Sequence, residues 1–542
     1  MRRQFIVLPL LALATPLAAQ TPAISIETLK EVTQTLSSDT FEGRAPTTAA
    51  EGLTIGYIAG RLSAAGIKPG HQGDWFQKVP MVEINADAAM HLDIAGGSKP
   101  LSFAYKTDMV AASYRVVPET RITNSDVVFV GYGINAPERG WNDYKGVDVK
   151  GKTVIILVND PDYDAKDLKG PFEGRAMTYY GRWTYKYEEA ARQGAAAAFI
   201  IHDTYPAAYP WSVVVSSWTG PQLSLDPGDK PVAATQANGW ITGEAATQLM
   251  TSAGKSLPQL VASARKKGFK AMPLGVKANL SFANTIRRQQ SNNVIGILPG
   301  KTRPDEYVLY SAHWDHLGRC EVVKGDDICN GALDNASGVA GLVALAEAHA
   351  KAGAPDRSIL FLAVTGEESG LLGSAFYGTN PVYSLSKTVA GINMDGLNIN
   401  GRTRDVTVIG AGKSELEPIL SRYAAAQKRT LVPESAPEKG FFYRSDHFSL
   451  AKQGVPMIYF DSGEDMVVGG KAAGRTAAED YTINRYHKPQ DEYRADWNWD
   501  GAVEDLMLNW QIGRELADGT AWPNWYPTAE FRALRDKSRA GK

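Results

Sequence analysis

Tyr307-Val308-Leu309-Tyr310-Ser311-Ala312-His313-Trp314-Asp315-His316 is the stretch on which the fold turns. A nearly continuous apolar run passes directly into residues able to hold a cation. Such a run reads as a strand covered on both faces, the habit of parallel sheets. The same texture recurs around it, at 293–298, 359–364, 389–394, 406–409 and 457–460. Helical patterns fall between these runs, clearest over 337–350, where Val339, Leu342, Val343 and Ala346 share one face. The alternation predicts an α/β fold with a mainly parallel central sheet sandwiched by helices. In sheets of that kind ligands gather at the carboxyl ends of the strands.

The whole chain has 542 residues, 44% of them hydrophobic, enough for a sizeable core and more than one domain. Lys and Arg number 57 against 59 Asp and Glu, a net charge of −2. That balance offers no basic face for nucleic acid or an anionic membrane, so neither is an expected partner. At the start, Arg2 and Arg3 precede an apolar run over 5–13 and the small residues Ala18 and Ala19. This reads as a secretory signal peptide cut after Ala19, because the run is too short to cross a hydrocarbon layer of ~30 Å. A periplasmic or secreted protein with no membrane span after signal removal is expected. Cys320 and Cys329 lie close in sequence, and an oxidising compartment favours their pairing as a disulfide. Two thiols alone are too few for a soft-metal site.

Residues 26–66 read as two amphipathic helices around a polar connection at 38–44. Over 85–285 the texture changes to short β-type runs at 127–130, 153–158 and 197–201, with a helical stretch that stops at Gly194. This reads as a separate mixed or β-rich domain, poor in candidate ligands. The expected layout is a signal peptide at 1–19, a first part of the main domain at 20–85, an insertion at 86–285, the rest of the main domain at 286–525, and a loosely held charged tail at 526–542.

The strand ends carry the chemistry. His313 and Asp315 point to one side of an extended chain, so the carboxylate can orient the imidazole. Asp334 stands ahead of the long helix, Glu367-Glu368 follow the run 359–364, Asp395 follows 389–394, and His487 lies near the end of this half. Imidazole and carboxylate without thiolate suit Zn²⁺, and equally Mn²⁺ or Co²⁺. The donors exceed what one four-coordinate ion needs, and two ions sharing a bridging carboxylate account for them. Neighbours at a strand end face opposite ways, so one of Glu367 and Glu368 can bind metal while the other stays free as a general base toward water. The chemistry implied is amide hydrolysis. Singly, Asp334 is a good helix cap, the glutamates a solvated turn, and His487 a surface histidine. Their joint placement at successive strand ends argues against those readings.

The segments His313-Trp314-Asp315, Leu333-Asp334-Asn335-Ala336-Ser337-Gly338, Thr365-Gly366-Glu367-Glu368-Ser369-Gly370, Asn393-Met394-Asp395 and Tyr486-His487-Lys488-Pro489 resemble the co-catalytic di-zinc aminopeptidases. That family includes aminopeptidase S, aminopeptidase Y and glutamate carboxypeptidase II. The segment 38–44 resembles the family's opening, and 115–245 resembles its inserted protease-associated domain. The resemblance implies one zinc on His313, Asp334 and Asp395 and a second on Asp334, Glu368 and His487. It implies Glu367 as the base, Asp315 behind the ligands, and a cis peptide after Asp334. Tyr443-Arg444-Ser445-Asp446-His447 matches a segment lining the family's site; Tyr443 would donate to the developing oxyanion, and His447 would line the site. The insertion between His313 and Asp334 carries both cysteines, so a disulfide loop is expected over the site.

An aminopeptidase acting on peptide substrates is the leading expectation. A carboxypeptidase of the glutamate carboxypeptidase type is the second, since specificity lives in loops that no motif reports. Glutaminyl cyclisation on a single zinc is a third, opposed by the full ligand set. A peptide-binding protein that uses the inserted domain is the non-enzymatic alternative.

Overall fold

The computed structural model describes residues 23–230 and 232–540; the signal-like segment lies outside them. Strand Arg303–His313 is central to the larger sheet. It runs parallel to Arg357–Val364 on one side and to Thr388–Asn393 on the other, which in turn runs parallel to Met457–Ser462. An antiparallel strand follows on each side: the last residues of Met272–Leu298 against Arg357–Val364, and Asp405–Val408 against Met457–Ser462. The predicted sheet is therefore present, mainly parallel and flanked by helices. One hydrophobic core on one of its faces gathers Ile24–Ile67, the helix Gly338–Lys351 and the helix Asp500–Asp518. The other core joins Phe442, Phe448, Trp525 and Phe531 to Leu309, Leu360 and Leu362. Strands buried on both faces are what near-continuous apolar runs produce.

Register places the polar residues. His313 pairs with Val364, so these two strands end level, while Thr388–Asn393 ends opposite Ser311, which brings Asp395, two residues on, level with His313. The residues just past those ends, Glu367, Glu368 and Asp395, must therefore emerge beside His313. The two early helices are Ile26–Leu36, capped by the Ser25 hydroxyl accepting from the Thr28 N–H, and Ala49–Ala64. Both pack against the helix Gly338–Lys351.

A second sheet with its own core on each face occupies 91–282. Strands Glu119–Phe129, Thr153–Leu157, Ala197–His202 and Ala237–Thr242 are parallel neighbours in it, backed by helices such as Trp183–Arg192 and Gly243–Ser252. The strand Met272–Leu298 belongs to both sheets. It pairs with Glu119–Phe129 up to Ala283 and with Phe76–Ala86 from Asn284 onward. The boundary expected near 285 thus falls inside one unbroken strand, which ties the two bodies together.

The last residues correct the expectation of a loose tail. Trp525 and Phe531 are buried, and the helix Arg532–Arg539 docks through Arg535, whose guanidinium donates to the carbonyls of Leu385, Thr388 and Val389. Charge in this segment signalled exposure; the arginine is spent on strand-end carbonyls instead.

Candidate metal centre

The site rests on a buried cation from the N-terminal segment. Gly43 (φ +67°) lies so close to the backbone of Gly318 and Cys329 that a Cβ would meet carbonyl oxygens at 2.4 and 2.6 Å. That approach delivers Arg44, fully buried, beneath the site. Its guanidinium donates to the carbonyls of Trp314 (2.9 Å), Leu36 (2.7 Å), Asn330 (2.6 Å) and Gly331 (2.7 Å). Burial lowers its pKa to about 10 against the pull of Asp491, Asp315, Asp334 and Glu368. From the other side the carboxylate of Asp491 accepts the N–H groups of Leu333 (3.1 Å) and Asp334 (3.0 Å). A guanidinium on its carbonyls and a carboxylate on its amides thus grip the loop 330–334, which carries Asp334. The Asp334–Asn335 peptide is cis, as the resemblance implies. Asn335 ties this loop to the next one: its Nδ2 donates to Met394 O, and its Oδ1 accepts from the Gly396 N–H.

Upon that floor the expected residues converge. His313 Nε2 lies 3.1 Å from Asp395 Oδ1 and 3.3 Å from Asp334 Oδ1. His487 Nε2 lies 3.3 Å from Asp334 Oδ2 and 3.1 Å from Glu368 Oε2. Two groups of donors close enough to hold a cation result, His313–Asp334–Asp395 and His316–Asp334–Glu368, with Asp334 common to both. His316 is a member that the sequence does not single out. It is buried, its Nδ1–H donates to Glu368 Oε1 at 2.6 Å, and its Nε2 has no partner. Its place three residues past His313 is the available signal, and the chain there carries it to the other donor group.

Cation-binding chemistry fits these donors. His313 Nδ1 faces the carbonyl oxygen of Asp315 at 3.1 Å, which can only accept, so Nδ1 carries a proton. Nε2 then faces two carboxylate oxygens with one proton at most, and cannot satisfy both by donation. Nitrogen and oxygen donors without sulfur match Zn²⁺ or a similar ion.

Electrostatics divides the two adjacent glutamates. Burial and Asp334 push the Glu368 carboxyl up, but His487 and His316 prevail and hold it at about 2. Glu367 ends well above the usual carboxylate range: burial raises it, His313 opposes, and Asp395, Glu368 and Asp446 add to the rise. Among the described residues its side chain accepts no hydrogen bond. Asp315 departs from its expected task. Its carboxylate accepts the N–H groups of Glu367 (3.1 Å) and Glu368 (3.4 Å) and stands 3.9 Å from His313 Nδ1. It positions the glutamate turn, while its backbone carbonyl, not its carboxylate, faces the imidazole.

Two further expectations divide. Tyr443 is corrected: its hydroxyl donates to Glu530 Oε1 at 2.9 Å within an aromatic cluster, so it does not serve the oxyanion. Three phenols stand in the field of the acidic groups: Tyr459, whose hydroxyl donates to Asp395 O at 3.3 Å, Tyr481, whose hydroxyl donates to Asp491 Oδ2 at 3.2 Å, and Tyr486, stacked 3.8 Å from the His487 ring. His447 packs 4.7 Å from Phe442 and 5.1 Å from Tyr459 and forms no ion pair with a carboxylate among the described residues. Burial lowers its pKa to about 3, which suits a neutral wall residue. Cys320 and Cys329 form a disulfide that closes the hairpin Gly318–Val323 and Asp326–Cys329 beside Gly43.

Residues 293–511 match the sequence profile of Peptidase family M28. Aminopeptidase NAALADL1 of Mus musculus is 34% identical over 131 residues, 23% of this chain and 16% of that protein. A probable zinc metalloprotease of Pyricularia oryzae is 39% identical over 102 residues, 19% of each. The chain thus matches less than a fifth of the length of these relatives. Among solved structures, the aminopeptidase from Aneurinibacillus sp. strain AM-1 aligns over 91% of this chain and 94% of its own, at 19% identity and a TM-score of 0.48. BSAP, a zinc aminopeptidase from Bacillus subtilis, aligns over 95% and 98%, at 17% identity and a TM-score of 0.42.

Proposed function

Because residues 293–511 belong to peptidase family M28, we propose that this protein is a zinc-dependent exopeptidase, an aminopeptidase that removes N-terminal residues from peptides. The observation that carries this reading is the shared carboxylate of Asp334 between two donor groups, with the unpartnered carboxyl of Glu367 beside them. His313, Asp334 and Asp395 would hold one zinc, and Asp334, Glu368 and His487, with His316 alongside, a second. Bound there, the ions would supply Lewis acidity toward a substrate carbonyl and toward water. Glu367 takes a proton from the attacking water as its oxygen bonds to the carbonyl carbon. The same carboxyl then returns that proton to the amine nitrogen as the C–N bond breaks. A raised affinity for protons is what a group that must both take and return one needs. Asp315 keeps Glu367 aimed through its amide, and Arg44 and Asp491 keep Asp334 in place.

The body at 91–282 reads as a protease-associated domain that walls one side of the site and confines it to unfolded or short peptides. Its contacts with the site's own segments support this: Met177 N–H donates to Pro437 O, and Tyr179 packs on Phe448 at 5.2 Å. The disulfide fits an oxidising compartment, hence periplasm or exterior.

Glu367→Gln tests the reading. Cleavage of leucine p-nitroanilide should fall at least about 10³-fold, with two zinc ions per chain still bound by elemental analysis. Unchanged turnover in the purified variant would remove Glu367 as the base. Loss of zinc from this variant would make it a ligand instead. His487→Ala should weaken zinc binding, whereas His447→Ala should not.

A further inference from the structure

The segment 467–486, between the strand Met457–Ser462 and His487, carries a surface left uncovered among the described residues. Its helix, Gly470–Asn484, has no buried residue, whereas eleven residues of Gly338–Lys351 are buried. A helix of this length is marginal in water by itself, and most helices draw their stability from a packed face. Here the inner face is held by Gly474, where a Cβ would meet Glu464 O at 2.1 Å, and by the Tyr481 hydroxyl, which donates to Asp491 Oδ2 at 3.2 Å. The opposite face is bare. Four of the eleven large apolar side chains exposed among the described residues fall in this segment: Val468 at 80%, Ile483 at 65%, Val467 and Tyr486.

The charges on that bare face are ordered against the helix itself. Lys471, Arg475, Glu479 and Ile483 follow one another at intervals of four, so they form a single ridge, and all four are exposed. The two cations stand toward the amino end, where the helix dipole favours acids. The acid stands toward the carboxyl end, where the dipole favours bases. The first turn holds no acidic residue and the last turn no basic one. Base before acid at a spacing of four is also the weaker order within a helix. Arg475 bonds Glu464 at 2.9 Å, while Lys471 and Glu479 enter no ion pair among the described residues. An order that the helix's own electrostatics disfavours suits a second helix running the opposite way. Turned about a two-fold axis at Ala477, the ridge meets its own copy with Arg475 opposite Glu479 and the Lys471 stem against Ile483.

We propose that this ridge is the contact between two copies of the chain, joined as an antiparallel helix pair about a two-fold axis. Such an axis requires a self-complementary patch, and two cation–anion pairs flanked by apolar ends provide one. Val467 and Val468 extend the apolar rim at the amino end. At the other end the chain passes from Ile483 to Tyr486, whose ring stacks 3.8 Å from the His487 ring. The contact therefore lies beside the metal centre of each copy. The helix has 15 residues and is ~22 Å long, which puts the contact at the small end of specific interfaces, so the dimer dissociates at micromolar concentration. Salt weakens it, because its ion pairs are exposed.

Sedimentation equilibrium of the purified protein at low salt, over about 1–200 μM, tests the contact without reference to turnover. A monomer–dimer equilibrium is expected. Arg475→Glu and Glu479→Arg should each be monomeric throughout that range, because each sets like charges opposite one another. An equimolar mixture of the two variants should recover the dimer, since each chain then faces the opposite charge on the other. A merely structural effect of either substitution would not be undone by mixing. A monomer throughout in the unaltered protein, a dimer that survives in both single variants, or a mixture that stays monomeric would overturn the contact. Should either variant fail to fold, Ile483→Lys reads the same ridge, with a charge that the carboxyl end of the helix favours. Its dimer dissociation constant should rise at least about tenfold, and an unchanged constant would refute the proposal.

Discussion

The sheet around Arg303–His313 and the sheet around Ala197–His202 are built alike, from parallel strands buried on both faces with polar residues just past their carboxyl ends. In the second sheet every such residue has a partner of its own. Asp160 accepts from the Thr178 N–H (2.7 Å) and hydroxyl (3.1 Å), with the Lys186 ammonium close enough to pull on it. Lys186 donates to the carbonyls of Tyr132 and Asn159, His202 meets the Tyr209 carbonyl, and Asp203 caps the next turn. In the first sheet imidazoles and carboxylates crowd one another, and several compete for one proton. Polarity at a strand end is therefore compatible with plain structure; shared and insufficient protons are what mark a site for an added cation.

The sharpest way to break this contrast is to loosen the floor of the crowded sheet. Asp491→Asn exchanges an acceptor for a partial donor facing the Leu333 and Asp334 amides, and Arg44→Gln leaves carbonyls of Asn330 and Gly331 unanswered. Each should weaken zinc binding by about 10- to 100-fold, the usual effect of removing a group that orients a ligand. Competition with a chelator of known affinity measures it. Affinity within twofold of the unaltered protein in both variants would mean that Asp334 needs no such support.

The converse intervention belongs to the satisfied sheet. Lys186→Met removes a buried ammonium and leaves Asp160 and two carbonyls without it. Leaving a buried carbonyl without its donor costs about 1–3 kcal/mol. Thermal unfolding should drop accordingly while zinc affinity stays within about twofold, because Lys186 faces none of the donor groups. Weakened zinc binding in a folded Lys186→Met protein would join the two sheets into one functional unit and erase the distinction drawn between them.

The contrast also explains what the sequence could disclose. The apolar runs announced buried parallel strands because both faces of such strands see only side chains, and no alternation survives. His313, Glu367, Glu368 and Asp395 were legible because adjacent strand ends follow from those runs. Arg44 and His316 carry no local signal: each acts across a distance in the chain, on carbonyls of 330–331 or on Glu368, and no local period encodes that. Tyr443 misled for the same reason. The resemblance of 443–447 to a segment lining the family's site placed it there, but Glu530, far along the chain, takes its hydroxyl. The docked tail shows the same limit, since Arg535 looked like surface charge until strand-end carbonyls claimed it.

The smallest expected effect separates the two bodies by acidity. His349 is buried in the larger body; its Nε2 meets the Tyr310 hydroxyl at 2.9 Å, that hydroxyl donates to Asn509 O, and Nδ1 has no partner. Burial, with Arg514 adding, lowers its pKa to about 3 from the unfolded value near 6.5. The folded protein then binds fewer protons than the unfolded one across that window, so this contribution is present above pH ~6.5 and is lost on acidification toward 3. Asp143 in the smaller body has the opposite sign. Burial raises it to about 6 against the Ile134 N–H and the Trp141 indole that favour its charge, so its contribution is present below pH ~4 and is lost as pH rises through about 6. Lowering the pH from 6.5 to 4.5 should thus loosen the helix Gly338–Lys351 while tightening the strands around Thr153–Leu157, each by no more than about 1.4 kcal/mol per pH unit. Hydrogen exchange corrected for the intrinsic rate reads both in one sample, and His349→Gln should flatten only the first response. Parallel responses in both bodies would show that a charge outside this pair governs acid stability.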